Sequence, residues 1–307
     1  MLKPSTKSFF TPTLIGTWYV LFSAVLFSTK SVFVKMAYQY AIDATVLLSL
    51  RMMFALPFFL VMLYLAPPVR HTLTSKDYVG LWLAGVVGYY GASILDFWGM
   101  EFISASLERL ILFMYPTLTV FLAALFFKTK IAKKTWLAIS ISYVGMILVF
   151  VGNQHEESTH LVLGSSLVFL GALAYAGYLV GSGHLIGRFG AARFTSLALV
   201  IATLCCFVHF LMSHSLTKLT QLPSQVWLLS AVLGFFCTFL PATLLTQGIR
   251  RIGAPQAALI SGVSPVITLA LGAWLLNDNL TLWQFCGAGL ILFGVIFISY
   301  KPVSSEQ

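Results

Sequence analysis

Five charged residues sit inside long apolar runs of this chain: Lys30, Arg51, Asp96, Glu108 and Arg109. A charge at the centre of a membrane helix costs about 2.5–3.5 kcal/mol, so such residues face a solute, a water-filled cavity or one another. Three are cations and two are carboxylates, which leaves a formal surplus of one positive charge. The chemistry available to the set is recognition of a charged group and exchange of a proton by a carboxylate in apolar surroundings. Glu108 and Arg109 are adjacent, so their side chains leave an ideal helix about 100° apart and each is expected to meet another helix. An ion pair of Glu108 with Lys30 or Arg51 would serve equally as a structural tie or an outer gate. Snorkelling towards headgroups is the other reading for Lys30 and Arg51, and still more for Asp96.

Uncharged polar residues add to this set. Tyr175, Tyr178 and Ser182 follow at i, i+3 and i+7 and share one helix face, Tyr89, Tyr90 and Ser93 precede Asp96, and Thr246 precedes Gln247. An aromatic stripe at helical spacing can be packing alone. The candidate substrate-binding residues are therefore Lys30, Arg51, Tyr90, Asp96, Glu108, Arg109, Tyr175, Tyr178 and Gln247. No catalytic, metal or cofactor site is expected. Cys205, Cys206, Cys237 and Cys286 lie within apolar runs without C-x-x-C spacing, as packing groups do.

The elements that must position these residues are membrane helices. Only 9% of the 307 residues are charged and 59% are hydrophobic, against about 25% charged in soluble domains. That excludes a soluble enzyme, a nucleic-acid binder and a disordered chain. A crossing helix needs about 20 apolar residues. Ten runs qualify, at 14–36, 44–66, 78–98, 103–127, 135–152, 161–182, 193–213, 226–247, 255–276 and 281–300. Lys3, Lys7, Arg70, Lys76, Lys128, Lys130, Lys133, Lys134, Arg188, Arg193, Arg250, Arg251 and Lys301 all fall on one side. The other side holds Glu101, Glu156, Glu157 and Asp278 with only Lys35 and Lys218. The positive-inside rule then places both termini in the cytoplasm.

The second half echoes the first at an offset of about 149 residues. Gly99, Pro116, Thr119 and Gly145 match Gly248, Pro265, Thr268 and Gly294, and Gly16 matches Gly164 at 148. Five spans per half is an odd number, so the halves are expected to lie upside down relative to each other, as in secondary transporters. The expected fold is an all-α integral membrane protein of ten transmembrane helices in two inverted five-helix repeats, 14–152 and 161–300, between cytoplasmic tails 1–13 and 301–307. Pro116 and Pro265 deprive Leu112 and Ser261 of a hydrogen-bond donor and are expected to act as symmetric hinges beside a cavity. Gly177-x-x-x-Gly181 is expected to pack helices closely within the chain, or otherwise to mediate a dimer.

The segments Ala105-Ser-Leu-Glu-Arg-Leu-Ile-Leu-Phe-Met-Tyr-Pro116 and Ala254-Pro-Gln-Ala-Ala-Leu-Ile-Ser-Gly-Val-Ser-Pro265 carry a resemblance. The chain resembles the drug/metabolite transporter superfamily, specifically EamA-type bacterial permeases, over essentially its whole length. An acidic residue is usual in the polar turn that follows; Asp278 supplies it, while Thr129 stands in its place in the first half. The resemblance implies a ten-helix carrier in a bacterial inner membrane, its cavity lined by the first, third and fourth spans with the sixth, eighth and ninth. It also implies export of small metabolites. The positive surplus and the aromatic walls suit an amino acid or an organic acid. The expected partners are that solute, the lipid bilayer and a coupling proton, with no nucleic acid, and the chain acts as a monomer or homodimer. An exporter of drugs or other hydrophobic compounds is the alternative, and a membrane-embedded lipid enzyme a remote one.

Overall fold

The computed structural model describes residues 12–69, 72–128, 131, 133–151, 160–275 and 281–299. Among the described residues every regular element is helical. The chain forms α1 (Pro12–Tyr38), α2 (Ala44–Leu65) and α3 (Ser75–Leu83); a π-helical stretch, Ala84–Gly91, leads into α4 (Ala92–Phe102). Then come α5 (Ala105–Leu112), α6 (Tyr115–Phe127) and α7 (Lys133–Val151). The second half holds α8 (Leu161–Phe189), α9 (Ala191–Ser213), the short α10 (Thr217–Thr220) and α11 (Ser224–Gly234). A second π-helical stretch, Phe235–Phe239, is followed by α12 (Leu240–Ile252), α13 (Ala254–Ser261), α14 (Ser264–Leu275) and α15 (Leu282–Ser299).

Among the described residues six helices are long and apolar enough to cross a membrane: Thr13–Tyr38, Ala44–Leu65, Ser75–Phe102, Leu161–Phe189, Ala191–Ser213 and Ser224–Ile252. Several expected spans differ from the sequence reading. The runs 103–127 and 255–276 are each broken in two, just before Pro116 and Pro265. The sixth span also runs on to Phe189, so His184 and Arg188 are helical rather than in a loop. Thr129, Asp278, Lys3, Lys7, Arg70, Lys130, Glu156, Glu157 and Lys301 lie outside the described residues, as do most of both tails.

Apolar side chains cover both the inside and the outside of the bundle. Phe59, Phe97, Phe194 and Phe210 are fully buried, while Tyr64, Leu125, Met212 and Trp274 point outward. A continuous apolar exterior has no stable place in water and suits hydrocarbon. This is a multi-pass membrane protein.

Small residues let the helices approach. α1 packs on α12, α4 on α8, and α7 on α15. A Cβ added at Gly248 would lie 2.4 Å from Val20 Cγ2 and 3.2 Å from the Gly16 carbonyl. One added at Gly99 would lie 2.4 Å from Val168 Cγ2 and 2.8 Å from the Gly164 carbonyl. Gly177 and Gly181 behave otherwise: among the described residues nothing lies within 4 Å of either added Cβ, so this pair packs against no described helix. Gly190 and Gly253 take φ of +81° and +82°, which L side chains rarely adopt, and turn the chain from α8 into α9 and from α12 into α13.

Polar ties hold the two ends of the bundle. At the start of α2, Asp43 accepts from the Val46 N–H at 3.0 Å and from Lys218 Nζ at 2.5 Å, with His214 Nε2 at 3.1 Å. Glu101 accepts the Ala44 N–H at 2.7 Å. Two carboxylates thus face the positive end of α2. Near the far end of α2, Asp77 pairs with Arg188 at 3.1 Å and lies 3.8 Å from His184.

Candidate functional site

The site begins at the two helix breaks. Pro116 has no N–H to offer the Leu112 carbonyl, so α5 ends there in a tight turn, with Met114 N–H donating to Ile111 O at 3.0 Å. Pro265 has the same effect on Ser261, and Val263 N–H donates to Ile260 O at 3.3 Å. Leu112, Tyr115, Ser261 and Ser264, the residues flanking these breaks, line one cavity of about 90 Å³. The π-helical stretch Ala84–Gly91 brings Gly88 and Tyr89 to the same cavity. Such stretches interrupt regular helices mostly where a site requires it.

Four of the five buried charges also line the cavity: Lys30, Arg51, Asp96 and Arg109. Lys30 Nζ donates to Asp96 Oδ2 and, at 3.2 Å, to Glu108 Oε1. Glu108, fully enclosed behind this wall, accepts from Ser31 Oγ at 2.8 Å. Arg109 donates to the Phe27 carbonyl at 3.1 Å and to Ser31 Oγ at 2.5 Å. Its Nε stands 3.5 Å from Glu108 Oε2, so these neighbours do meet, in addition to contacting α1. Arg51 donates to Ser93 Oγ at 3.2 Å and stacks over the Phe97 ring at 4.8 Å. Among the described residues no carboxylate lies within 4.0 Å of it. Lys30 is 8% exposed, Arg51 4% and Asp96 3%; all three turn into the protein, which overturns snorkelling.

The remaining sequence candidates divide. Tyr175 lines the cavity, with its ring 5.3 Å from that of Tyr115. Tyr178 stands behind the wall, packed on Tyr89, Tyr175 and Phe194 and against Gly88. Tyr90 turns away, its hydroxyl 2.9 Å from His209 Nδ1. Gln247 is half-buried and accepts from Arg251 at 3.2 Å. The structure brings neither Tyr90 nor Gln247 to the cavity. The second span supplies Arg51 to the lining and α11–α12 supply none, unlike the pattern that the resemblance implies.

Ser31, Phe27, Phe97, Ser261 and Ser264 were missed in the sequence. The signals were weak but present. Phe27 and Ser31 share a face of α1 at i and i+4, Ser93 and Phe97 share a face of α4 in the same way, and Ser264 directly precedes a proline. The assembled site can hold a small solute against cations, hydroxyls and aromatic rings.

Comparison with known proteins identifies the family. The family model described as the EamA-like transporter family matches residues 14–151 and again 162–300. The uncharacterized transporter YcbK of Bacillus subtilis is 29% identical over 296 residues, covering 95% of each chain. The uncharacterized inner membrane transporter YicL of Salmonella typhimurium is 26% identical over 234 residues, covering 73% of this chain and 74% of its own. A solved structure described only as a protein crystal structure superposes with a TM-score of 0.74 at 14% identity. It covers 92% of this chain and 96% of its own, and at that identity it speaks for the fold alone. The chain belongs to the EamA-like transporter family of the drug/metabolite transporter superfamily.

Proposed function

We propose that this transporter is a secondary carrier that exports a small metabolite, an amino acid or an organic acid, across a bacterial inner membrane by alternating access. Its ten spans form two inverted five-helix halves, 14–152 and 161–300, and its tails 1–13 and 301–307 are cytoplasmic. The observation that carries the reading is the cavity itself: both helix breaks and four buried charges converge on it. The reciprocal glycine crossings, Gly248 on Gly16 and Val20, Gly99 on Gly164 and Val168, support matched halves. A membrane-embedded enzyme would need a reactive cluster at a membrane face, and the buried charges here enclose a solute-sized space instead.

In this mechanism Lys30, Arg51, Asp96, Arg109 and Tyr175 face the solute. Glu108 holds Lys30 and Arg109 in place. Pro116 and Pro265 are the hinges, because the breaks free α5 from α6 and α13 from α14. Asp96 exchanges the coupling proton: it lines the cavity, and its Oδ1 has no hydrogen-bond partner. The test uses full-length protein in liposomes with a trapped pH dye and a panel of amino acids and organic acids. Solute-driven proton movement is expected, with Asp96→Asn losing it while keeping solute exchange. Movement confined to organic cations or apolar drugs would overturn the assignment.

A further inference from the structure

The charges around the cavity do not balance. With both carboxylates ionised, Lys30, Arg51 and Arg109 oppose only Asp96 and Glu108, a surplus of one positive charge. The pairing locates that surplus. Lys30 contacts both carboxylates and Arg109 contacts Glu108. Among the described residues Arg51 has only the Ser93 hydroxyl and the Phe97 ring as direct contacts, and its Nε is buried without a hydrogen-bond partner. It is 4% exposed and lines the cavity. A buried guanidinium without a counter-charge is costly unless a solute brings one.

We propose that Arg51 sets the charge of the solute: the cavity takes a small organic monoanion with one carboxylate and discriminates against zwitterions of the same size. The proposal rests on the carrier reading above and narrows its substrate class. A zwitterion leaves the surplus in place, and its ammonium must compete with Lys30 for Asp96. A dicarboxylate exceeds the surplus by one charge. Size limits the body as well, since about 90 Å³ is well below the roughly 300–1,000 Å³ of sites for drug-sized ligands. The hydroxyls of Ser93, Ser261 and Ser264 suit a short chain bearing a hydroxyl or keto group.

Lactate and alanine test this directly, because they differ only in a hydroxyl against an ammonium. Full-length protein in liposomes is assayed for counterflow of radiolabelled lactate, alanine and succinate. Lactate is expected to exchange at least tenfold better than alanine, judged by kcat/KM, and better than succinate. Arg51→Gln should abolish that preference and Arg51→Lys should largely restore it. Equal or better exchange of alanine overturns the proposal, as does an unchanged lactate-to-alanine ratio in a folded Arg51→Gln protein. If Arg51→Gln does not accumulate, the wild-type ratio and Arg51→Lys decide. Alanine exchange without lactate exchange overturns the monoanion assignment alone. No exchange of any of the three solutes overturns the monoanion assignment, and the wider panel of amino acids and organic acids then decides the carrier reading.

Discussion

Alanine substitution at Gly99 and Gly248 should destabilise the protein by similar amounts. An alanine Cβ at either site would meet a valine methyl at 2.4 Å, far inside van der Waals contact. Val20 and Val168 are fully buried, so neither can swing into open space. Overpacking of this kind costs about 1–3 kcal/mol, and it outweighs the gain of up to about 1 kcal/mol that alanine brings to a helix interior. Gly177→Ala is the internal control: it gains helix propensity and meets nothing within 4 Å. Both crossing variants should therefore melt several degrees lower in detergent, and the control no lower than wild type. Val20→Ala should rescue part of the Gly248→Ala loss, because it removes the methyls in the way, and a double-mutant cycle measures that coupling. If Gly99→Ala and Gly248→Ala melt with the control, or if only one of them falls, the reciprocal crossing is refuted.

Two further outcomes follow from the polar contacts. Glu108→Gln should cost more stability than Asp96→Asn, about 3 kcal/mol at the low end for stripping one partner from a buried ion pair; Glu108 is fully enclosed and offsets two cations, and melting curves showing the reverse order would refute this. Burial pushes the Asp43 carboxyl up, but the hydrogen bonds from Lys218 and the Val46 N–H and the nearby His214 outweigh it and hold the group below its ordinary 3.8. A carboxylate depressed in the folded state contributes stability above its unfolded value and loses it as pH falls through the folded value. The melting difference between wild type and Asp43→Asn, at most about 1 kcal/mol at this half-exposed site, should thus be present at neutral pH and vanish in acid below 3.8.

The membrane character and most helix positions were legible in the sequence, because run length and composition alone decide them. The breaks at Leu112 and Ser261 were half legible: a proline announces a lost donor but not whether the helix bends or stops. Partner choice was illegible. Lys30 meets Asp96 across 66 positions and Tyr90 meets His209 across 119, and helical periodicity says nothing about contacts at that range. Gly177 and Gly181 misled for the same reason. Their spacing permits a close approach, yet among the described residues no other helix is there to make it. The π-helical stretches Ala84–Gly91 and Phe235–Phe239 leave no mark in residue propensity, although the first shapes the cavity wall.

One family model matches both halves, yet they differ in chemistry, and on the carrier reading that difference has a mechanical consequence. Ala257 and Ala258 stand where Glu108 and Arg109 stand in the first half, and all three ion pairs of the cluster join residues of the first half. Polar contacts between the halves are weaker, although α1 packs on α12, α2 on α9 and α4 on α8 across the same boundary. At the cavity they are single hydrogen bonds, such as Ser28 Oγ to Ser264 O at 3.2 Å and Thr268 Oγ1 to Ser28 O at 3.2 Å, each worth about 0.5–1.5 kcal/mol net. At the two ends they are Asp43 with Lys218 and His214, and Asp77 with Arg188. Lys218 and Arg188 are 40% and 30% exposed, and exposed pairs contribute about 0–1 kcal/mol. On the carrier reading, rocking one half against the other leaves the costly buried pairs intact and opens one exposed tie at a time. Both end ties are formed in this structure. On the same reading a carrier needs its states to lie within a few kcal/mol of one another, and strong electrostatics confined to one half would favour that.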